Sequence, residues 1–199
     1  MTHLIKKDDQ ITKKLAGTLT AGGLRALVEE RRKLAKTFLL LDYSGSMDEF
    51  VTARGTTRKI DALRQLVTDL VAEDNLPCPL VGFGASVGFI TRIPAPGGGT
   101  PMAKAIDFAA GQGSEHLIVI SDGIPDDRDA ALRAAQDFMG PIDVFYVGPE
   151  SDLSGADFMR RLASASRGGR VSVTTLKDTK QLQSAIRGLL APGRHLPQE

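Results

Sequence analysis

The sequence predicts an α/β fold, built on an open, doubly wound and mostly parallel six-stranded sheet with helices on both faces. Short apolar runs bounded by turn residues alternate with longer segments whose apolar residues recur every three or four positions. Strands that alternate with helices in this way form parallel sheets through crossover connections. The six predicted strands are residues 38–41, 79–83, 87–90, 116–120, 142–147 and 170–173.

Length and composition are typical of one globular domain. The chain has 199 residues, and its 25 Lys and Arg against 24 Asp and Glu give a net charge of +1, so no basic field points to nucleic acid. Its one cysteine, Cys78, excludes an internal disulfide and a Cys-rich zinc site, and we expect an inert thiol there. Because no stretch reaches the roughly 18 apolar residues of a membrane span and no signal-peptide core precedes the domain, we expect a cytoplasmic protein with no membrane partner.

Charge and composition divide the chain into three predicted parts. Residues 1–36 hold nine Lys or Arg against four Asp or Glu, so we predict a basic helical extension with a helix near 23–35. That helix either packs on the main domain or docks onto an acidic partner. The main domain is predicted over 37–190. Residues 191–199, with two prolines and a glycine, are predicted to be a flexible tail.

Between residues 37 and 101 the pattern predicts three strands and one helix. The run at 38–41 is continuously apolar, as expected for a strand buried on both faces. Only residues 84–86 separate the next two strands, so we expect a hairpin that places one antiparallel strand at the sheet edge. The helix is predicted from apolar residues at helical spacing, namely Ile60, Leu63, Val67, Leu70 and Val71.

Residues 102–190 predict three further strands and four further helices. We expect Ser154 to cap the third of these helices, and Asp178 with Gln181 to form a capping box that opens the last one. The apolar residues that mark the four helices are Met102, Ala105, Ile106 and Ala109; Leu132, Ala135 and Met139; Phe158, Leu162 and Ala165; and Leu182, Ile186, Leu189 and Leu190.

Three polar segments, at 42–47, 97–102 and 121–123, are the candidates for function. Asp42 and Asp122 each follow a buried strand, so both lie at carboxyl ends, where open α/β sheets form their ligand crevice. In the first segment the oxygen-bearing residues alternate, so an extended turn directs them one way. In the second, three glycines allow close approach of the backbone and deliver a threonine hydroxyl to the same place.

These segments predict a site for a divalent cation. Two carboxylates and three hydroxyls are hard oxygen donors, which select Mg²⁺, with Mn²⁺ or Ca²⁺ as alternatives, over zinc or copper. Two aspartates only neutralise such an ion, so we expect one open position that attracts a carboxylate from a partner protein. The candidate metal ligands are Asp42, Ser44, Ser46, Thr100 and Asp122.

The order Asp-x-Ser-Gly-Ser, a distant Thr and then Asp-Gly resembles the metal-ion-dependent adhesion site of von Willebrand factor A domains, over about residues 37–190. The resemblance implies that Ser44 and Ser46 bind metal directly, that Thr100 binds in the ligand-competent state, and that the aspartates bind directly or through water. The stretch Gly-Gly-Gly-Thr-Pro-Met is similar to intracellular bacterial members, including those of metal-chelatase and tellurium-resistance type. The resemblance to these domains implies a non-catalytic protein-binding domain that captures an Asp or Glu side chain of a partner.

Two other functions are consistent with the same residues. The domain is either an adaptor or subunit of an AAA+ ATPase machine of the MoxR or chelatase kind, or a metal-dependent hydrolase. The chain has no P-loop motif, so any ATPase is a separate protein. We expect no enzyme, because Ser44 stands where a phosphatase acid would be expected and no His or Lys accompanies the cluster as a general base. His116 is expected at the opposite edge of the sheet.

Some neighbours of the predicted site have two interpretations. Asp48 and Glu49 either form a solvated charged rim or support a second cation. Tyr43 and Met47 either line the partner surface or pack into the domain. The two aspartates that follow Pro125 are expected to cap a helix rather than to bind metal.

Overall fold

A computed structural model describes residues 36–52, 55–74, 78–149, 152–173, 176 and 179–190. The strands are β1 Thr37–Asp42, β2 Leu80–Phe83, β3 Val87–Phe89, β4 His116–Ser121, β5 Ile142–Tyr146 and β6 Val171–Val173. The α-helices in this part of the chain are α1 Lys59–Asp74, α2 Met102–Gly111, α3 Arg128–Asp137, α4 Leu153–Ala165 and α5 Thr179–Leu190. A short 3-10 helix covers Gly45–Asp48.

The six strands form one sheet in the order β3-β2-β1-β4-β5-β6. β2 and β3 are antiparallel, and every other neighbouring pair is parallel. The direction of winding reverses between β1 and β4, and in open α/β sheets the ligand crevice lies at the carboxyl ends of such a pair. The predicted fold class, with one antiparallel strand at the edge, is confirmed.

Alternate residues of β1 pack into two separate apolar cores. Phe38 and Leu40 belong to the core beneath α2, α3 and α4, whereas Leu39 and Leu41 belong to the core beneath α1 and α5. All six residues of β1 are buried, because helices cover the sheet on both sides. The central strand is therefore held firmly, and its last residue, Asp42, has a fixed position at the sheet edge.

Three details of the helices differ from the sequence predictions. Val71 and Met139 were expected on buried helix faces, but their exposures are 47% and 70%. α3 ends before Met139 and buries alanines instead, which allows it to approach its neighbours closely. α4 is capped by Asp152, whose carboxylate accepts from the Gly155 amide at 3.0 Å, because the helix begins one residue before the expected cap, Ser154.

The predicted basic extension over 1–36 lies outside the described residues except for Lys36. The same is true of its helix near 23–35, of the Asp178 cap and of the tail at 191–199. Within the part of the chain that the structure describes, no helix is long and apolar enough to cross a lipid bilayer.

Candidate metal centre

Asp42 and Asp122 lie side by side at the carboxyl edge of the sheet. Asp42 is the last residue of β1, and Asp122 directly follows β4, which runs parallel to β1 with Leu41 opposite Ile120. Both carboxylates are buried, at 0% and 4% exposure. The parallel register therefore brings together two acids that are 80 positions apart in the sequence.

Asp42 organises the first loop through both of its carboxylate oxygens. Oδ1 accepts a hydrogen bond from the Ser44 amide at 2.8 Å, and Oδ2 accepts one from the Ser121 hydroxyl at 2.5 Å. Burial raises the pKa of Asp42 to about 6, although these hydrogen bonds oppose the shift. Burial of this kind destabilises the charged carboxylate, and a bound cation would stabilise it.

Ser44 and Ser46 continue the cluster from Asp42 to Asp122. Their hydroxyl oxygens are 3.1 Å apart, and the Ser46 hydroxyl donates to Asp122 Oδ1 at 2.8 Å. The hydroxyls of Ser44 and Ser46 therefore lie together, but the 3-10 helix that begins at Gly45 places them there rather than the extended turn that the sequence predicts. Met47, in the same 3-10 helix, is fully buried.

The glycine-rich loop brings Thr100 to the same place. Gly98 O accepts from the Gly45 amide at 3.1 Å, and the Gly97 amide donates to Tyr43 O at 2.8 Å, so the two loops are bonded to each other. A Cβ added to Gly123 would lie 3.7 Å from both the Ser46 and the Thr100 hydroxyl oxygens. The two hydroxyls therefore border the same small space beside Asp122.

Two glycines of this loop are required by its geometry. Gly98 has φ +77°, and a Cβ there would approach the Ala85 backbone to 2.6 Å. A Cβ on Gly99 would lie 2.4 Å from Asp126 Oδ1. The same carboxylate oxygen accepts from the Thr100 amide at 2.8 Å, so Asp126 fixes the backbone that carries the Thr100 hydroxyl.

Sequence reasoning missed Lys59, which lies beside the cluster as a paired cation. The Lys59 ammonium donates to Asp122 Oδ2 at 2.5 Å and to Glu49 Oε2 at 2.8 Å. Burial alone lowers the pKa of Lys59, but its bonds to these two carboxylates outweigh burial and raise it. The signal was present in the sequence, because Lys59 lies on the same helical stripe as Leu63 and Leu66, which are fully buried.

Two further contributors were also missed or assigned differently. Ser121, the last residue of β4, is fully buried and bonds to Asp42, and a serine directly before a strand-end aspartate was its only sequence signal. The two aspartates after Pro125 have separate roles: Asp127 caps α3 by accepting from the Ala130 amide at 2.9 Å, as predicted, whereas Asp126 holds Thr100.

The other neighbours of the site have partners within the domain. Asp48 bonds to Arg58 at 2.7 Å, so both rim carboxylates are engaged in ion pairs with the chain's own cations. Tyr43 is buried and its hydroxyl donates to the Ser86 carbonyl at 2.6 Å, so it packs into the domain, as Met47 does.

Two more predicted positions lie away from this cluster. His116 begins β4 at the opposite sheet edge, as expected, and Cys78 is buried, which raises the pKa of its thiol to about 12.

The donor set fits a hard divalent cation. Each of the five predicted ligands offers a side-chain oxygen to a metal ion. Hydroxyl and carboxylate oxygens suit Mg²⁺, Mn²⁺ or Ca²⁺. Within the described ranges, no group of three or more His, Cys, Asp or Glu is placed to hold a metal ion, so the candidate site depends on its hydroxyls as well as its two carboxylates. The structure brings all five residues to one edge of the sheet, while their roles as ligands stay a prediction.

Comparison with solved structures identifies a similar fold. The chain is similar to a von Willebrand factor type A protein from Catenulispora acidiphila, with a TM-score of 0.52 and 16% sequence identity. The match covers 77% of this chain and 42% of that one, so this chain spans less than half the length of the solved protein. No family model matches the sequence, and no curated protein matches it. At this identity the likeness shows a von Willebrand factor A-like fold.

Proposed function

We propose that this chain is a non-catalytic protein-binding domain that holds one Mg²⁺ and captures a carboxylate from a partner protein. One observation carries the proposal: two buried aspartates and three hydroxyl side chains from three separate loops converge at one sheet edge. The proposed metal ligands are Asp42, Ser44, Ser46, Thr100 and Asp122.

The proposed capture follows from the charges of these ligands. When bound, the cation supplies a Lewis-acidic position that accepts one anionic oxygen. The two aspartates neutralise a divalent ion without exceeding its charge, so an acidic side chain of a partner is attracted rather than repelled. Ser44, Ser46 and Thr100 contribute no charge, and the surrounding loops supply the contacts that distinguish one partner from another.

Catalysis is less well supported than binding. The Lys59 ammonium is bonded to two carboxylates that keep it protonated, so it is not a general base. Asp42 uses both of its oxygens to hold Ser44 and Ser121. We also propose a cytoplasmic location, in which a chain with a single cysteine has no need of a disulfide.

Isothermal titration calorimetry of Mg²⁺ into the full chain tests the metal site. We expect one ion per chain for the wild type and no measurable binding for Asp42→Ala. Asp48→Asn is the matched control, because Asp48 belongs to the same loop but pairs with Arg58 on the exposed rim. If Asp42→Ala bound Mg²⁺ with the affinity of the wild type, the assignment of the site would be refuted.

A further inference from the structure

A buried lysine lies within the proposed metal site. The Lys59 side chain is only 6% exposed and contacts Asp122, whose side chain is 1% exposed, at 2.5 Å. Its second partner, Glu49, is 67% exposed at the rim. Lys59 therefore links the buried Asp122 carboxylate to the exposed Glu49 carboxylate at the rim.

The two oxygens of Asp122 have different partners. Oδ1 accepts from the Ser46 hydroxyl, whereas Oδ2 accepts from the Lys59 ammonium. An incoming divalent cation would thus meet a carboxylate already partly neutralised by a positive charge of the protein itself. Two cations that share one buried carboxylate repel each other strongly, since little water screens them.

The position of Lys59 is fixed by the fold. It is the first residue of α1, and its amide donates to Glu49 O at 2.9 Å, so the helix start is joined to the loop that follows Ser46. The ammonium also lies 3.4 Å from Ser46 O. With the backbone held in this way, the ammonium lies within hydrogen-bond reach of Asp122 and Glu49 at the same time.

We propose that Lys59 is a tethered cation that competes with the divalent cation for Asp122 and so weakens the site's affinity for metal. Glu49 moderates this competition, because it draws the ammonium towards the rim. The inference rests on the proposed metal-binding function. It adds a residue, outside the five predicted ligands, that sets the concentration of Mg²⁺ at which the domain becomes loaded.

Calorimetric titration of Mg²⁺ into two variants of the full chain tests the competition. We expect Lys59→Met to bind Mg²⁺ about tenfold more tightly than the wild type, because a positive charge is removed. We expect Glu49→Gln to bind it about threefold more weakly, because Lys59 then bonds more fully to Asp122. Arg58→Met and Asp48→Asn are matched controls from the adjacent exposed ion pair, and both are expected within about twofold of the wild type.

The outcomes separate this inference from the function on which it rests. Opposite shifts for Lys59→Met and Glu49→Gln support it, and so does Mg²⁺ binding that appears only in Lys59→Met. Equal affinity in the wild type and both variants overturns the competition and leaves the metal site standing. Weaker binding in Lys59→Met also overturns it. No Mg²⁺ binding by the wild type or by Lys59→Met overturns the metal site and this inference together.

Removal of a buried lysine also affects folding, so the variants need a structural check. Glu49 is exposed, and Glu49→Gln is expected to keep the wild-type circular dichroism spectrum and melting temperature. If Lys59→Met fails to fold, Glu49→Gln decides the question alone. Weaker Mg²⁺ binding that Asp48→Asn does not share supports the competition, and unchanged affinity contradicts it.

Discussion

The two edges of the sheet both bury charged side chains, but they satisfy them in different ways. At the amino edge, Asp143 accepts from the Arg170 amide at 2.9 Å and lies 2.8 Å from His116 Nε2, and Ser166 bonds to the backbone of Ile142 and Ala163. Most of these bonds end on the backbone, so the polar groups join strands and loops together.

The carboxyl edge is built mainly from bonds between side chains. Ser44, Ser46 and Asp122 bond to one another and to Lys59, and Asp42 bonds to Ser121. Hydroxyls and carboxylates that serve as each other's partners are able to exchange them for a cation, although Asp42 also accepts a bond from the Ser44 backbone amide. Buried charge at the amino edge therefore joins elements of the fold, whereas the arrangement at the carboxyl edge is the one that supports the proposed binding of a cation.

Matched substitutions at Asp42 and Asp143 test the difference between the two sheet edges most directly. At a Mg²⁺ concentration about 100 times the dissociation constant, the wild type is expected to gain about 2.7 kcal/mol of stability. Asp42→Asn should lose that gain, so its stability should be the same with and without Mg²⁺. Asp143→Asn should keep the gain but lose about 1–2 kcal/mol in both conditions, because buried bonds to Arg170 and His116 are removed.

Denaturant unfolding with Mg²⁺ and with EDTA measures both effects. Replacement of a serine on an exposed helix face, such as Ser164→Ala, controls for the procedure. If Asp143→Asn lost the Mg²⁺-dependent gain, or Asp42→Asn retained it, the two edges would not differ in the way described.

The protonation of Asp42 should make both the stability of the domain and its affinity for Mg²⁺ depend on pH. Its folded pKa, about 6, lies above the ordinary value of 3.8, so the folded protein holds this proton more tightly than the unfolded chain. Without metal, protonated Asp42 stabilises the fold fully below pH 3.8, and this stabilisation is lost as the pH rises to about 6. The free energy of unfolding falls by roughly 2–3 kcal/mol in total over this interval. Mg²⁺ requires the carboxylate, so its affinity should rise over the same interval.

Unfolding free energies in EDTA, measured between pH 4 and 7 for the wild type and Asp42→Asn, test this sign. The wild type should lose stability relative to Asp42→Asn as the pH rises. A constant difference, or one that grows in favour of the wild type, would mean that burial does not raise this pKa.

The neighbouring aspartates 126 and 127 provide a smaller, finer test. Asp126 holds the Thr100 backbone, whereas Asp127 only caps α3. Each change to alanine should cost about 1 kcal/mol of stability, since each removes a hydrogen-bond acceptor for a backbone amide. Only Asp126→Ala should also weaken Mg²⁺ binding, by about tenfold, because Thr100 is a proposed ligand and its loop is loosened. Equal Mg²⁺ affinity in the two variants would separate Asp126 from the site.

Most of the fold and the position of the site were predictable from local signals. Continuous apolar runs that end before Asp42 and before Ser121 identified the ends of β1 and β4, whereas their adjacency in the sheet, which places Asp42 beside Asp122, comes from the structure. Helix faces were less predictable where the pattern was weak. α3 buries Ala131, Ala134 and Ala135, and a search for large apolar residues chose the exposed Met139 instead.

The residues that support the site were not predictable from motifs. Lys59 is 17 positions from Asp42 and reaches Asp122 only because of the way α1 packs on the sheet. Asp126 looked like one of two equal capping residues, and only the glycine-rich loop beside it makes it different. Helical spacing places Lys59 on the buried face of α1, but its contact with Asp122, like that of Asp126 with Thr100, depends on tertiary packing.

A pull-down from a lysate of the source cells tests the central claim, that a metal ion bridges this domain to a partner's carboxylate. The samples are the wild type in Mg²⁺, the wild type in EDTA and Asp42→Ala in Mg²⁺, with Asp48→Asn as control. We predict a protein retained by the wild type and by Asp48→Asn in Mg²⁺ only. If that protein is an AAA+ ATPase, the domain is the adaptor of such a machine. A partner retained equally by all four samples would contradict the account and place the binding surface elsewhere.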